Sequence, residues 1–398
     1  MFRAASAYST NPAGAEAAAD CIAQLERAGV TDPDFVLVHA NCAIGLDLFG
    51  RALHARWPAS RLHAATSCLG GMTDAAVAMA TDAGIGLLAI SDPTGDYGVA
   101  AGPLAGDARA TGQRLARQAL ARAGRAGEVP ALVLVCATPG DEEEFLAGVQ
   151  AGVGPGVPII GGSAADNAIA GQWRILDAGT AVADAAVVSV LFPSVTVSTA
   201  FESGYAPSEC RGTITRAAGR RILEIDGQPA ATVYERWTEG AVHRPAAGSV
   251  NILMKSALTP LGRVASVLED MPLYVLSHPE TIVADGSMTL FTRVSEGDEV
   301  VLMKGTATTL VGRAGSVVRS AALIGDIDPS EISALAMYYC GGCMLQVRDR
   351  LDEMRQALAR EFPGVPATVG FTFGEQGSLA LGSVRHGNLM ISAIVFGR

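Results

Sequence analysis

Apolar and polar positions along this chain follow two rhythms, and the change from one to the other marks the elements. Short, mostly apolar runs at residues 34–39, 61–66, 85–90 and 131–135 read as strands buried on both faces. Between them Ala17, Cys21, Ile22 and Leu25, and then Leu46, Phe49, Leu53 and Trp57, recur at three- and four-residue spacing and predict helices. Asn11-Pro12 reads as the start of the first, an N-cap followed by a proline at the first helical position. Helices are also expected over residues 73–79 and 106–122. The run Asp141-Glu142-Glu143-Glu144 opens another, with acids where the helix dipole favours them. Strands alternating with helices are the α/β signature.

From about Asp177 the texture changes. Residues 185–192 and 195–201 follow one another as strands without helical spacing between them, so an antiparallel portion is expected. Residues 220–227 read as a strand and turn, 230–237 as a helix, 281–305 as β-rich and 308–322 as a helix. The most informative stretch follows. Residues 334–339 are a buried strand that delivers Cys340-Gly341-Gly342-Cys343. Met344, Leu345, Val347, Leu351, Met354, Leu358 and Phe362 then form one apolar helical stripe, and residues 367–373 a second strand, ending at Gly374-Glu375-Gln376-Gly377. The expected fold class is α/β: two α/β domains with mixed sheets. Residues 1–208 carry the strand–helix alternation, and residues 209–398 more antiparallel β.

Composition narrows the picture. At 398 residues the chain exceeds one ordinary core, and 49% hydrophobic residues supply apolar surface for two. No apolar run approaches the roughly 20 residues that span a bilayer. Met1-Phe2-Arg3-Ala4-Ala5-Ser6 lacks the apolar core of a secretory signal, so a cytoplasmic protein without a membrane span is expected. A net charge of −11, with no long block of one sign, argues against nucleic acid as a partner. Seven cysteines, an odd number without an export signal, argue for reduced thiols rather than a disulfide framework.

Ligands in α/β sheets are met past the carboxyl ends of strands, and thiols gather there. Cys42, Cys68, Cys136 and Cys340 each end a predicted strand ahead of a helix, and Cys343 falls in the first turn of its helix. Backbone N–H groups and the helix dipole lower the pKa of a thiol so placed, and Cys343 is best placed for it. Cys340-x-x-Cys343 also fits a dithiol or part of a zinc site, with Cys68 or His386 as further ligands. His39 and His63 lie on strands and read as core residues, His54 as a solvated helix face, and His243 and His278 as loop residues. His386, in Arg385-His386-Gly387-Asn388 before the last strand, is the most suggestive.

Several blocks in this order resemble FIST proteins, which join a FIST N and a FIST C domain. They are Thr66-Ser67-Cys68-Leu69-Gly70, Gly161-Gly162-Ser163-Ala164-Ala165-Asp166, the stretch from Leu223 to Ala230, Cys340, Gly370-Phe371-Thr372-Phe373-Gly374-Glu375 and His386-Gly387-Asn388. On this resemblance residues 1–208 are FIST N-like and 209–398 FIST C-like. The resemblance implies a small-ligand sensory module, with amino acids among the ligands proposed for the family. It also extends to a haem-binding, nitric-oxide-sensing branch that works with separate histidine kinases or cyclic-di-nucleotide enzymes, and to F-box relatives. Cys343 stands where the family usually has an arginine, and Gly71 where it has a glutamate, which should change what the pocket holds.

Three readings follow. In the first, a pocket at strand ends between the two domains binds a small molecule or haem, with His386, Cys68, Gly341, Gly342, Asp166, Asn167 and Gly374 as binding residues. His243, His278 and the thiols are further candidates for an axial haem ligand. In the second, Cys343 or Cys340 is a nucleophile, Glu375 or His386 moves protons, and the amides of Gly341 and Gly342 stabilise an oxyanion. In the third, Cys68, Cys340 and Cys343 hold a thiolate-bound metal or form a redox site.

Overall fold

One four-stranded pattern occurs three times in the chain. The computed structural model describes residues 1–104, 106–268, 270–379 and 383–398. In the first occurrence Phe35–Asn41 runs parallel to Arg61–Ser67 and antiparallel to Ile85–Ser91, which in turn pairs antiparallel with Arg3–Ser9. Leu132–Ala137 repeats this arrangement with Ile159–Gly162, Ala185–Phe192 and Asp96–Pro103. Ala334–Cys340 repeats it with Ala367–Thr372, Met390–Phe396 and Val197–Ser203. A parallel pair needs a crossover, and helices supply it: Leu46–Arg56, Glu142–Val153, and Gly341–Gln346 with Leu351–Glu361. Gly14–Arg27, Ala108–Arg122 and Ala307–Ile324 precede the central strands. The fold is mixed α/β, as expected.

The central strands are buried along their whole length because each sheet is covered twice. Helices pack on the outer faces. The inner faces meet in one shared core that includes Phe35, Leu37, Leu134, Ile160, Tyr338 and Ile394. The three units also exchange hairpins in a closed cycle. The hairpin after Arg61–Ser67 (Gly70–Thr73 and Val77–Met79) joins the third unit's sheet through Ala367–Thr372. Ile175–Asp177 and Thr180–Val182 join the first, and Glu375–Ser378 and Val384–Gly387 join the second.

Between Val197–Ser203 and Ala307–Ile324 the chain leaves the third unit and builds a nine-stranded sheet, from Ala206–Ala218 to Glu299–Lys304. This insertion has its own core, with Ile214, Ile222, Tyr234, Leu261, Ile282 and Leu302.

Several local expectations change. Residues 73–79 form no helix; pairing with Ala367–Thr372 makes the segment a hairpin. The first helix begins at Gly14, and Asn11 precedes the cap, its Oδ1 accepting from the Ala13 N–H at 3.1 Å. Strands Ala185–Phe192 and Val197–Ser203, consecutive in sequence, lie in different sheets. The stripe after Cys340 is no single helix: it breaks at Val347 into Gly341–Gln346, a 3-10 turn Arg348–Arg350, and Leu351–Glu361. Cys136 lies inside its strand, and Cys68 leads into a strand rather than a helix. Among the described residues no helix is long and apolar enough to cross a membrane.

His39 and His63 sit on the inner strands as expected of core residues, 3% and 1% exposed. Burial holds both imidazoles neutral, pushed down to about 3. An unfolded imidazole titrates near pH ~6.5, so below that the unfolded chain binds the extra protons. Their contribution to stability is therefore complete above about pH 6.5 and is lost as pH falls toward about 3, by up to ~1.4 kcal/mol per unit for each ring. Denaturant midpoints measured across this window should fall steeply for the wild type and less steeply for a His39→Gln, His63→Gln double variant. Equal slopes would contradict the assignment.

Candidate functional site

The exits of the three units' third strands are tied to one another. The Ala165 N–H donates to Thr66 O at 2.9 Å, joining second to first. Ser163 N–H donates to Gly374 O (2.8 Å) and Phe373 N–H to Ser163 O (3.1 Å), joining second to third. Cys68 N–H donates to Phe371 O at 2.8 Å, and Ser67 Oγ accepts from Phe371 N–H at 2.7 Å, closing the ring. These bonds replace strand pairing where the sheets end and fix the loops beyond.

Over this junction lies a cavity of about 310 Å³. The first unit contributes Cys68; the second Pro139, Glu142, Asn167, Ala168, Ile169 and Trp173; the third Cys340, Gly342, Leu345, Phe373, Gly374 and Asn388. The insertion closes it with Arg220, Leu253, Met254, Ala257, His278 and Phe291. Trp173 meets Phe373 edge-on at 6.4 Å, and His278 meets Phe291 at 6.3 Å. The position of Gly374 demands glycine: its φ is +121°, and a Cβ would run into the His386 ring.

The polar end is built on the acidic run. Glu142 Oε1 accepts from Ser163 Oγ at 3.0 Å, and Oε2 accepts from Gly140 N–H at 3.1 Å and from Arg220 at 2.6 Å. Arg220 also reaches Glu143 at 2.9 Å, while Arg293 donates to Glu144 at 2.8 Å. The acids at this helix terminus thus hold the insertion as well as matching the dipole. Burial alone raises the Glu142 carboxyl, but the His386 ring and the Arg220 guanidinium outweigh it and hold the group below the usual carboxylate range. Behind this wall Gln376 Nε2 donates to Ser163 Oγ at 3.1 Å and lies 3.2 Å from His386 Nδ1, while the ring's Nε2 is 3.9 Å from Glu142 Oε1.

Of the residues singled out from sequence, Cys68, Cys340, Gly342, Asn167 and Gly374 line the cavity together. Cys343, Glu375, His386, Gly341 and Asp166 are not among its walls. Cys343 turns toward Tyr205, whose hydroxyl lies 3.4 Å from its sulfur. Glu375 accepts from Thr372 Oγ1 (2.8 Å) and from Met390 N–H (3.0 Å), and burial, then Cys340, raise its carboxyl well above the usual range. Asp166 is fully buried and organises the loop that carries Asn167 and Trp173, accepting from the amides of Ala168, Ala170 and Gln172 at 3.0, 2.8 and 2.8 Å. At Cys340 burial overrides the helix terminus, and at Cys68 no helix follows. The Cys340 thiol rises well above its ordinary range, and burial followed by Asp166 pushes Cys68 up to about 12. Among the described residues no group of three or more His, Cys, Asp or Glu is placed to hold a metal ion.

Sequence reasoning missed Glu142, Arg220, Trp173 and the insertion's apolar wall, and gave no weight to Phe373 and Asn388, which stood inside recognised blocks. His278, a loop histidine by sequence, is buried on the cavity wall. Its Nε2 donates to Leu253 O at 2.9 Å, and burial pushes it down to about 4, so the ring is neutral at pH ~7.

Residues 34–228 match the FIST N domain and residues 230–378 the FIST C domain, together most of the chain. The chain belongs to the FIST family. FIST domains are generally small-ligand sensing domains, which is consistent with a sensory role. An uncharacterized protein of Methanocaldococcus jannaschii is 32% identical over 83 residues, 21% of this FIST chain and 16% of that protein. This chain therefore spans only a small part of that relative's length. A crystal structure of a cyanuric acid hydrolase from A. caulinodans covers 100% of both chains at 9% identity and a TM-score of 0.40.

In this FIST protein the Arg220–Glu142 pair joins the insertion to the second unit. Arg220→Met leaves a buried carboxylate without its cation and is expected to cost about 2–3 kcal/mol, with Glu142→Gln in the same chain recovering part of the loss. A double-mutant cycle in urea measures this; additive losses would contradict the coupling.

Proposed function

We propose that this FIST protein is a sensor whose small-molecule ligand occupies the cavity over the strand ends. The observation that carries the reading is the origin of the walls: all three units and the insertion contribute, so an occupant contacts every rigid part of the fold at once. A ligand that binds only when these parts are assembled stabilises that assembly by linkage, which is the basis of a sensory response. A volume of about 310 Å³ suits a small organic molecule. The output partner implied by the resemblance is a separate histidine kinase or cyclic-di-nucleotide enzyme.

The donors favour an organic ligand over haem. His386 stands behind the wall, His278 has committed Nε2 to a carbonyl, and Cys340 is held as a thiol. They also favour binding over cysteine catalysis, because Cys340 is raised away from thiolate and Glu375 is occupied by its own loop.

Ala257 is a small, buried wall residue, and Ala257→Phe fills the cavity from the insertion's side. Small molecules that raise the melting temperature of the wild type should fail to raise that of Ala257→Phe. Equal shifts in both proteins would place binding elsewhere. A Soret band in the purified protein that disappears in His278→Ala would replace the organic ligand with haem.

A further inference from the structure

The charged groups of the cavity are already satisfied by one another. Among the described residues only Glu142 and Arg220 bring formal charge to the walls, and they pair at 2.6 Å. Arg220 is taken a second time by Glu143. The Glu142 oxygens also serve Ser163 and Gly140. Both of the bonds from Arg220 use its Nη2, and two carboxylates oppose its charge. A charged ligand would lose its hydration and meet only groups whose charge is already opposed.

Two polar atoms are differently placed. His278 N–H donates to Asn388 Oδ1 at 3.3 Å, which fixes the orientation of that amide and leaves Asn388 Nδ2 as a donor. Because His278 Nε2 donates to Leu253 O, its Nδ1 is left as an acceptor. This bond ties the Asn388 amide to the backbone of His278, and both residues line the cavity. Around them the walls are apolar and aromatic, with Trp173 and Phe373 prominent.

We infer that the cavity takes an uncharged, flat, largely apolar molecule carrying one amide-like donor–acceptor edge, which Asn388 Nδ2 and His278 Nδ1 recognise, and that it discriminates against free amino acids. The inference rests on the reading of the cavity as a ligand site and narrows it to one chemical class. The neutrality of His278 and of the Cys340 thiol is consistent with it. A site with only internally paired charges rejects a zwitterion twice, once for each end.

Four probes with the same phenyl body test this by calorimetry on the full chain: benzamide, phenylacetate, phenethylamine and phenylalanine. Benzamide is expected to bind at least about tenfold more tightly than any charged member. Asn388→Asp keeps the acceptor for His278 N–H but replaces the donor with a carboxylate. It should weaken benzamide by about tenfold or more and strengthen phenethylamine. Tightest binding by a charged probe, abolished by Ala257→Phe, would overturn the inferred class while leaving the ligand site in place. Failure of all four probes would overturn the class as well, and the ligand site would then stand or fall on the cavity-filling comparison. Benzamide affinity unchanged in a folded Asn388→Asp protein would remove Asn388 from the recognition edge. If that variant does not fold, the wild-type ranking decides alone.

Discussion

The ring of backbone hydrogen bonds among Thr66, Cys68, Ser163, Ala165, Phe371, Phe373 and Gly374 is the constraint on which the rest of the structure depends. Sheets that end in a protein interior leave amides and carbonyls without ladder partners, and buried groups of this kind must be paired. Here each sheet satisfies the ends of another. The exchanged hairpins add to the same effect, since each unit completes a neighbour's sheet and none is complete alone. The junction is therefore the rigid floor on which loops such as residues 166–173 are held in place.

The insertion is attached to this floor by different physics. It has a core of its own besides the side chains it shares with the third unit, and its contact with the second unit includes a polar cluster centred on Arg220, Arg293 and the acids Asp141 to Glu144. Arg220 and Glu142 are the more buried of these partners, and the Arg293 pairs are largely exposed, so the former carry most of the coupling. The insertion thus roofs the cavity through apolar packing on the third unit, where Val275, Leu276, Val301 and Met303 join the core around Cys343 and Met390, and through ion pairs to the second.

Much of the scaffold was legible in the sequence because its central strands are covered on both faces. The apolar runs leading to Asn41, Ala137 and Cys340 could hardly be other elements. The hairpin at residues 70–79 was not legible, because its partner strand, Ala367–Thr372, lies at the far end of the chain. The acidic run had a sufficient local explanation in the helix dipole, which hid its role as the anchor for Arg220. For the site, the blocks around Cys68, Asn167, Cys340 and Gly374 pointed to strand ends that meet at one cavity. The direction of each side chain did not follow. Cys343 sits on a helix of six residues that turns it toward Tyr205, and Glu375 is taken up by Thr372 and Met390 one residue beyond the cavity wall.

On the proposed reading, one occupant of the cavity couples the three units and the insertion. Amide hydrogen exchange with and without saturating benzamide addresses it most directly. Slower exchange is expected at Cys68, Ser163, Ala165 and Phe373 together with the insertion's wall around Leu253 and His278. Protection confined to one unit, or found only away from the strand ends, would contradict it.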